Sequence, residues 1–232
     1  MSDAARHDSA EAYYRTRFTQ DDRRAGLWRH LTAYIKRYMP QHGAILELGA
    51  GYCYFINQVE GRRRVAVDLG AQVVASAAPG VEAYEGDALT FLDRIEPGSF
   101  DFVFASNFFE HFEWPALTAL IRGIHRALAP GGRLAIVQPN FRLAPRRYFD
   151  DYTHRTIFTD VSLADWLQSE GFTVIAREPR FMPFTVKSRL GGLTWLVPLY
   201  LRLPWRPFAG QMFIVAERPH QRFGGTGHRL QE

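Results

Sequence analysis

The chain has 232 residues, of which 47% are hydrophobic and 22% are charged. This length and composition predict one globular domain and exclude a largely disordered protein. The formal charge of +4 and the pI of about 9.4 come from arginines spread along the chain, so they do not by themselves indicate nucleic acid. The single cysteine, Cys53, excludes an internal disulfide, and the first residues lack the apolar stretch of a signal peptide. We therefore expect a cytoplasmic protein.

The N-terminal stretch is polar and rich in arginine, and it predicts helices that end near Pro40. Beyond it, short apolar or β-branched runs alternate with helical patterns, as in the βαβ units of a parallel sheet. A crossover helix is predicted with Pro115 in its first turn and with Pro130 and Gly131 at its end. The first five predicted strands are Ala44–Leu48, Val65–Asp68, Val81–Glu85, Phe100–Ala105 and Arg133–Gln138.

The rest of the chain predicts one more helix and two more strands. The helix covers "SLADWLQSEGF", with Ser162 as its N-cap and Gly171 at its end. The strands run from about Thr173 to Glu178 and from Gln211 to Glu217. We predict an N-terminal helical cover over residues 1–40, one domain over residues 41–220 with an apolar insertion at 180–210, and a flexible tail over residues 221–232.

The apolar insertion contains the stretch "FTVKSRLGGLTWLVPLYLRLPWRPFAGQ". Its prolines interrupt any helix well short of the roughly 20 residues that span a bilayer. Three interpretations stay open: a helical lid or dimer contact, the lining of an apolar acceptor pocket, or a peripheral contact of residues 184–208 with the inner face of a membrane. The basic residues interspersed in the stretch are Lys187, Arg189, Arg202 and Arg206.

The stretch "ILELGAGYCYF", Ile45 to Phe55, combines a strand with a glycine-rich turn. Such a turn brings the backbone close to a ligand at the carboxyl edge of an open α/β sheet. A dinucleotide fingerprint needs a third glycine where this chain has Tyr54. Glu47 would repel phosphates but attract a cationic ligand. S-adenosylmethionine, which carries an ammonium and a sulfonium group, fits this pattern.

Two further acids follow the next two strands. Asp68 ends the second strand roughly 20 residues after the turn, where an acid accepts hydrogen bonds from ribose hydroxyls. The tripeptide "GDA", Gly86 to Ala88, places Asp87 where it can face the adenine amino group. Each feature alone is equally typical of a tight turn or a helix cap. Their order on successive strands is what indicates a nucleoside ligand.

The chain resembles the class I S-adenosylmethionine-dependent methyltransferases from about Ala44 to Glu217, through "LELGAG", "VAVDLG", "EGDALTFL", "FDFVFASNFFEHF" and "LAPGGRLAIVQPN". The resemblance implies a Rossmann-like three-layer α/β fold whose seven-stranded sheet is mostly parallel, with the last strand antiparallel. It implies S-adenosylmethionine as cofactor. Cys53 replaces a third glycine that many relatives have, and we interpret it as a small buried hydrophobe. The implied cofactor-binding residues are Glu47 at the methionine amino group, Gly49 and Gly51 beneath the cofactor, Asp68 at the ribose, Asp87 and Ala88 at the adenine, and Asn107 after the fourth strand.

Two segments are candidates for the acceptor side. In this fold "SNFFEHF", which includes Glu110 and His111, faces the cofactor's sulfur, and His111 has an ordinary pKa suited to a general base. The alternative is that His111 only satisfies backbone groups of the loop. The second segment is "RRYFDDYTHRTIF", which could bind a polar acceptor or be a solvated loop; its polar residues include Asp150, Asp151, Tyr152 and His154. We predict His111, Asp151 and His154 as catalytic residues.

The predicted function is in-line methyl transfer to a small-molecule, glycan or lipid-precursor acceptor. The segments from "QPNFR" to "RFMPFTVKSRL" resemble a bacterial group associated with methylation of glycans, lipids or secondary metabolites. A nucleic-acid substrate is disfavoured because no proline pair follows the fourth strand. No metal site is predicted, because the eight histidines are scattered without Cys-x-x-Cys or His-x-x-x-His spacing. The alternatives are a non-catalytic cofactor-binding protein and an NAD-dependent oxidoreductase.

Overall fold

The computed structural model describes residues 19–183 and 194–220. Short 3-10 helices include Phe109–His111, Tyr148–Asp150 and Thr194–Leu196. The strands are β1 Ala44–Leu48, β2 Arg63–Asp68, β3 Glu82–Glu85, β4 Phe100–Ser106, β5 Leu128–Pro139, β6 Thr173–Pro183 and β7 Ala209–Glu217. The α-helices are α1 Asp22–Ile35, α2 Gln72–Ser76, α3 Ala88–Arg94, α4 Trp114–Ala127, α5 Asp160–Ser169 and α6 Val197–Arg202.

The seven strands form one sheet in the order β3-β2-β1-β4-β5-β7-β6. Strands β1 to β5 are parallel to their neighbours among themselves, and β7 is antiparallel to both β5 and β6. The predicted mostly parallel sheet with an antiparallel last strand is therefore confirmed. The strand order reverses between β1 and β4, which opens a crevice at their carboxyl ends. Because β7 is antiparallel, its first residues lie at that same edge, where Gln211 pairs with Pro139.

Helices cover both faces of the sheet, so the central strands are buried on two sides. All five residues of β1 are buried, Glu47 among them, because the strand lies in the middle of a parallel sheet that is covered on both faces. The amphipathic helix α4 packs on one face with apolar residues at helical spacing, and α1 packs on the other. The buried residues that carry this packing are Leu117, Leu120, Ile121 and Ile124 of α4 and Leu27, Leu31 and Ile35 of α1.

The start of α5 differs from its prediction. The N-cap is Thr159, whose hydroxyl accepts from the backbone N–H of Ser162 at 3.1 Å. The Ser162 hydroxyl in turn accepts from the backbone N–H of Thr159 at 2.9 Å. Ser162 is thus the second half of a capping box, three residues inside the helix, because Thr159 is the residue that keeps an extended backbone. Gly171, with a φ of +90°, follows the helix end as predicted.

The apolar insertion is partly regular structure. Strand β6 extends to Pro183, residues 184–193 lie outside the described residues, and α6 has only six residues with a proline in its first turn. Arg206 is buried, and its guanidinium pairs with Glu178, which also accepts a hydrogen bond from Tyr34 of α1. Arg206 therefore fastens the insertion to α1 rather than presenting its charge at the surface. None of the described helices combines the length and apolarity needed to cross a membrane.

The predicted N-terminal cover is described only from residue 19 onwards. There α1 packs on the sheet, with the ring of Trp28 edge-on to Phe104 at a centroid distance of 5.8 Å. Residues 1–18 and the predicted flexible tail, 221–232, lie outside the described residues. The division into cover, domain and tail therefore stays a prediction.

Candidate cofactor and acceptor site

The glycine turn after β1 is fastened to the neighbouring strand. The backbone N–H groups of Gly49 and Ala50 both donate to the carbonyl of Val67, at 2.9 and 3.1 Å. Gly49 has a φ of +68°, and a Cβ atom there would lie 2.6 Å from Cδ2 of Phe108. Glycine is thus required by both backbone conformation and close approach. Gly51, with a φ of +51°, completes a turn that lets a ligand approach the backbone.

Cys53 stands where many relatives are expected to have a third glycine. Its backbone lies in the left-handed region, with a φ of +56°. It is fully buried, and its thiol donates to the carbonyl of Val73 at 3.5 Å. Burial raises the pKa of Cys53 to about 12, and the charges of Glu47 and Asp68 add to this rise. Cys53 is therefore a buried packing residue, which confirms the interpretation from sequence.

Glu47 lies near the end of β1 and is only 4% exposed. Its carboxylate accepts a hydrogen bond from the backbone N–H of Ile56 at 3.0 Å. Burial raises the pKa of Glu47 well above its ordinary value; the Ile56 hydrogen bond opposes this rise, and the charge of Asp68 adds to it. A buried carboxylate is costly unless a positive charge compensates it. This acid therefore suits a cationic ligand.

Asp68 holds the glycine turn from the end of β2. One carboxylate oxygen accepts from the backbone N–H of Gly51 and the other from that of Gly70, both at 2.8 Å. Sequence reasoning assigned Asp68 only to the ribose and missed this structural role. The two roles are compatible, because a carboxylate offers about four acceptor sites.

Asp87 and Ala88 follow β3 at the same edge of the sheet. Asp87 is the N-cap of α3 and accepts from the backbone N–H of Thr90 at 3.0 Å. Ala88 is the first residue of that helix and is 6% exposed. The helix-cap alternative considered for Asp87 therefore holds, and a contact with adenine stays a prediction.

Asn107 follows β4 and forms hydrogen bonds with residues of β5 and β7. Its backbone N–H donates to the carbonyl of Val137 at 2.8 Å, and its side-chain oxygen accepts from Gln211 at 3.0 Å. Its φ of +48° is tolerated better by asparagine than by most residues. Asn107 thus positions the segment with Phe108, Glu110 and His111 at the carboxyl edge.

Two loops bring Glu110, His111 and His154 together. The backbone carbonyl of Glu110 accepts from the N–H groups of Arg155 and Thr156, at 2.7 and 3.2 Å. Nε2 of His154 lies 4.0 Å from a carboxylate oxygen of Glu110, and the two imidazole rings are 5.1 Å apart between centroids. Glu110 is fully buried and His154 is 9% exposed. We name these three residues the EHH cluster.

A hydrogen-bonded chain orients His111 within the EHH cluster. The Thr153 hydroxyl donates to Asp151 at 2.5 Å and lies 2.9 Å from Nδ1 of His111. Because a hydroxyl has one proton, Thr153 accepts from His111, so Nδ1 carries the imidazole proton.

The electrostatics agree with this assignment. Burial lowers the pKa of His111 to about 4, the charge of His154 adds to that effect, and Asp151 opposes it. Burial alone would raise the pKa of Asp151, but hydrogen bonds from Thr153 lower it overall. Burial raises the pKa of Glu110 to about 8. At neutral pH His111 is therefore a neutral imidazole beside the anionic Asp151.

The structure separates the acceptor-side candidates. His111, Asp151 and His154 lie together, as a shared site requires, whereas Asp150 and Tyr152 are exposed. Thr153 was missed by sequence reasoning. Its signal was the Asp-x-Thr spacing, because the backbone N–H of Thr153 bonds to the Asp151 side chain at 3.1 Å.

A family described as a methyltransferase domain matches residues 20–177 of the chain. The chain belongs to the S-adenosylmethionine-dependent methyltransferases. Among curated proteins, no sequence matches it. Membership of this family argues against the alternative of an NAD-dependent oxidoreductase.

Solved methyltransferase structures share the fold. An S-adenosylmethionine-dependent methyltransferase from Archaeoglobus fulgidus is 18% identical, with 82% of this chain and 94% of that chain covered and a TM-score of 0.61. The 1,6-didemethyltoxoflavin-N1-methyltransferase of Burkholderia thailandensis, with bound 1,6-didemethyltoxoflavin and S-adenosylhomocysteine, is 20% identical, with 93% of this chain and 88% of that chain covered and a TM-score of 0.62. A Haloferax volcanii methyltransferase in complex with the activator Trm112 is 16% identical, with coverages of 94% and 94% and a TM-score of 0.62.

The donor groups of this methyltransferase fit its cofactor. The buried carboxylate of Glu47 suits a ligand with positive charges, and the turn at Gly49 and Gly51 presents backbone without side chains. Asp68 fixes that turn, so cofactor contact and turn geometry are linked through one carboxylate. S-adenosylmethionine carries both the positive charges and the ribose that these groups suit.

Proposed function

We propose that this methyltransferase transfers a methyl group to a hydroxyl oxygen of a small-molecule, glycan or lipid-precursor acceptor. The observation that carries the proposal is the chain Asp151–Thr153–His111, which holds a neutral imidazole in the segment that follows β4 at the carboxyl edge. Displacement from a sulfonium mainly needs positioning and exclusion of water. A hydroxyl additionally needs its proton removed or its O–H bond polarised, whereas a neutral amine brings its own lone pair. The chain is suited to the hydroxyl.

On the cofactor side, each residue has a role in this proposal. S-adenosylmethionine supplies a methyl group on a positively charged sulfur. Glu47 compensates the ammonium group, and the turn at Gly49 and Gly51 lies beneath the cofactor. Asp68 accepts from the ribose while it holds the turn. The adenine side is assigned to Asp87 and Ala88, and Asn107 positions the segment that faces the sulfur.

On the acceptor side, His111 and His154 face the hydroxyl, and Asp151 holds His111 through Thr153. The methyl–sulfur bond breaks as the oxygen–methyl bond forms, and the hydroxyl proton leaves through the EHH cluster to solvent. The products are S-adenosylhomocysteine and a methyl ether. Asp151 is a positioning residue in this scheme, because it acts through Thr153.

An exposed apolar surface favours an amphipathic acceptor. Trp195, Leu199, Trp205 and Phe208 are between 59% and 91% exposed, and Arg202 is exposed beside them. Phe208 directly precedes β7, whose start lies at the carboxyl edge near Asn107. Aromatic and basic residues together suit a membrane interface. We propose that residues 184–208 contact the apolar part of the acceptor, or the inner membrane face that carries it, in a protein that is otherwise cytoplasmic.

The test is release of S-adenosylhomocysteine with phenols, sugars, lipid-linked sugars and amines as acceptors. We expect a hydroxyl-bearing acceptor to be methylated. His111→Gln is expected to lower kcat by about 100-fold or more, the contribution of a positioned proton-transfer group, without weakening cofactor binding. His42→Asn, at an exposed histidine, is the matched control and should keep full activity. Methylation of amines alone, or full activity of His111→Gln, would contradict the proposal. If none of the acceptors led to release of S-adenosylhomocysteine, the protein would be one that only binds the cofactor.

A further inference from the structure

The ring of Phe108 lies directly against the glycine turn. Because Leu48 pairs with Ala105, the turn after β1 and the segment after β4 are neighbours at the carboxyl edge. A Cβ atom on Gly49 would lie 2.6, 3.2 and 3.4 Å from Cδ2, Cγ and Cε2 of Phe108. The half-buried ring is therefore in contact with the backbone over which the cofactor is placed.

Neighbouring contacts fix the position of this ring. Asn107, the preceding residue, is held by its hydrogen bonds to β5 and β7. The backbone carbonyl of Phe108 accepts from the N–H of His111 at 3.3 Å. The ring forms T-shaped contacts with the rings of Phe109 and Phe112, at centroid distances of 5.7 and 4.8 Å. Such aromatic pairs are stabilising, so the ring of Phe108 is already ordered before a cofactor binds.

The sulfonium is the second positive charge of S-adenosylmethionine. Glu47 is assigned to the ammonium group and Asp68 to the ribose, so neither accounts for this charge. A sulfonium has no N–H or O–H group and cannot donate an ordinary hydrogen bond. The electron-rich face of an aromatic ring attracts such a cation, as it does in sites that recognise quaternary ammonium ligands. An aromatic side chain at the glycine turn therefore suits the sulfonium.

The ionisable side chains that follow Phe108 in the sequence bring little charge of their own. Burial raises the pKa of Glu110 to about 8, so its carboxyl group is largely protonated at neutral pH. Burial lowers the pKa of His111 to about 4, so its imidazole is neutral. Glu110 is thus a poor counter-ion for a sulfonium, and His111 does not repel one.

We propose that the ring of Phe108 binds the sulfonium through a cation–π interaction and makes the site prefer S-adenosylmethionine to S-adenosylhomocysteine. The inference rests on the cofactor placement of the proposed function, but not on the kind of acceptor. Methyl transfer removes the charge, because the sulfur keeps the electron pair of the broken bond and becomes a neutral thioether. The product is therefore held less tightly by the ring than the cofactor that replaces it.

Calorimetric titration of the full-length protein with S-adenosylmethionine and with S-adenosylhomocysteine, without an acceptor, tests the inference. Phe108→Leu keeps an apolar side chain and removes the ring. Lost apolar contact affects both ligands, so the ratio of their dissociation constants isolates the effect of the charge. We expect this ratio to shift against S-adenosylmethionine by about 2- to 30-fold, the range of a cation–π interaction. Phe108→Tyr keeps the aromatic face and is expected to keep the wild-type ratio.

Phe172→Leu is the matched control for Phe108→Leu. Phe172 precedes β6 at the opposite edge of the sheet, where Thr173 and Arg133 both pair with Glu217. The control is expected to leave the ratio within about twofold of the wild type. An unchanged ratio in Phe108→Leu, or an equal shift in Phe108→Tyr, would overturn the inference. Methylation of a hydroxyl acceptor is measured separately, so failure here is distinct from failure of the proposed function.

Discussion

Asp68→Asn is expected to lower the free energy of unfolding by about 1–3 kcal/mol and to weaken S-adenosylmethionine binding at least about tenfold. The wild-type carboxylate accepts from Gly51 and Gly70, both at 2.8 Å. Asparagine has one acceptor oxygen, so its amide nitrogen would face one of these two N–H groups. The turn should then loosen even before the ribose contact is lost. Denaturant unfolding without cofactor and calorimetry with cofactor measure the two effects.

Asp87→Asn is the matched control for Asp68→Asn. Asp87 accepts from the backbone N–H of Thr90 as a helix N-cap, and asparagine caps helices about as well as aspartate. The free energy of unfolding should therefore stay within about 0.5 kcal/mol of the wild type. Wild-type stability of Asp68→Asn, or an equal loss of stability in Asp87→Asn, would contradict the role of Asp68 in holding the turn.

Glu47→Gln is expected to stabilise the cofactor-free protein while weakening S-adenosylmethionine binding at least about tenfold. Burial raises the pKa of Glu47 in the folded state, with the Asp68 charge adding to it. The native state therefore holds this proton more tightly than the unfolded chain, and stability falls as the pH rises from about 4.3 through the raised pKa. Glutamine removes this loss and keeps an oxygen for the N–H of Ile56.

Thermal unfolding of wild type and Glu47→Gln between pH 4 and pH 9 measures the effect on stability. The melting temperatures should coincide near pH 4, and the variant should lie above the wild type by at least about 2 °C at the alkaline end. Glu60→Gln makes the same change at an exposed glutamate and is the control variant. If Glu47→Gln lowered stability and affinity together, Glu47 would be a structural hydrogen-bond acceptor rather than the partner of a cation.

The bounds of a strand could be predicted from the sequence where a run of buried residues alone sets them. β1 was predicted at its observed bounds. Its five residues are all buried, and a glycine turn follows them directly. β5 and β6 extend well beyond their predicted ends, to Leu128–Pro139 and Thr173–Pro183. Their extra residues pair with other strands, and β6 does so with shifts in register, for example between Glu178 and Met182. Such pairing depends on tertiary neighbours that no local pattern contains.

The cofactor side of the site was easier to predict than the acceptor side. Glu47, Asp68 and Asp87 each lie near the carboxyl end of a strand, and parallel strands bring their carboxyl ends to one edge. Their assigned contacts with the cofactor stay predictions. The meeting of His111 with Thr153 and His154 depends on the path of the loop after β5, which backbone bonds from Arg155 and Thr156 to Glu110 fix. Spacing along the sequence could not show that path.

The most direct test of the account is calorimetric titration of the purified protein with S-adenosylmethionine, S-adenosylhomocysteine and NAD in parallel. The central claim is that the glycine turn and its acids bind a cationic methyl donor rather than a dinucleotide. We predict saturable micromolar binding of the first two ligands and none of NAD. Binding of NAD alone would contradict the role of Glu47 and, with it, the cofactor site described above.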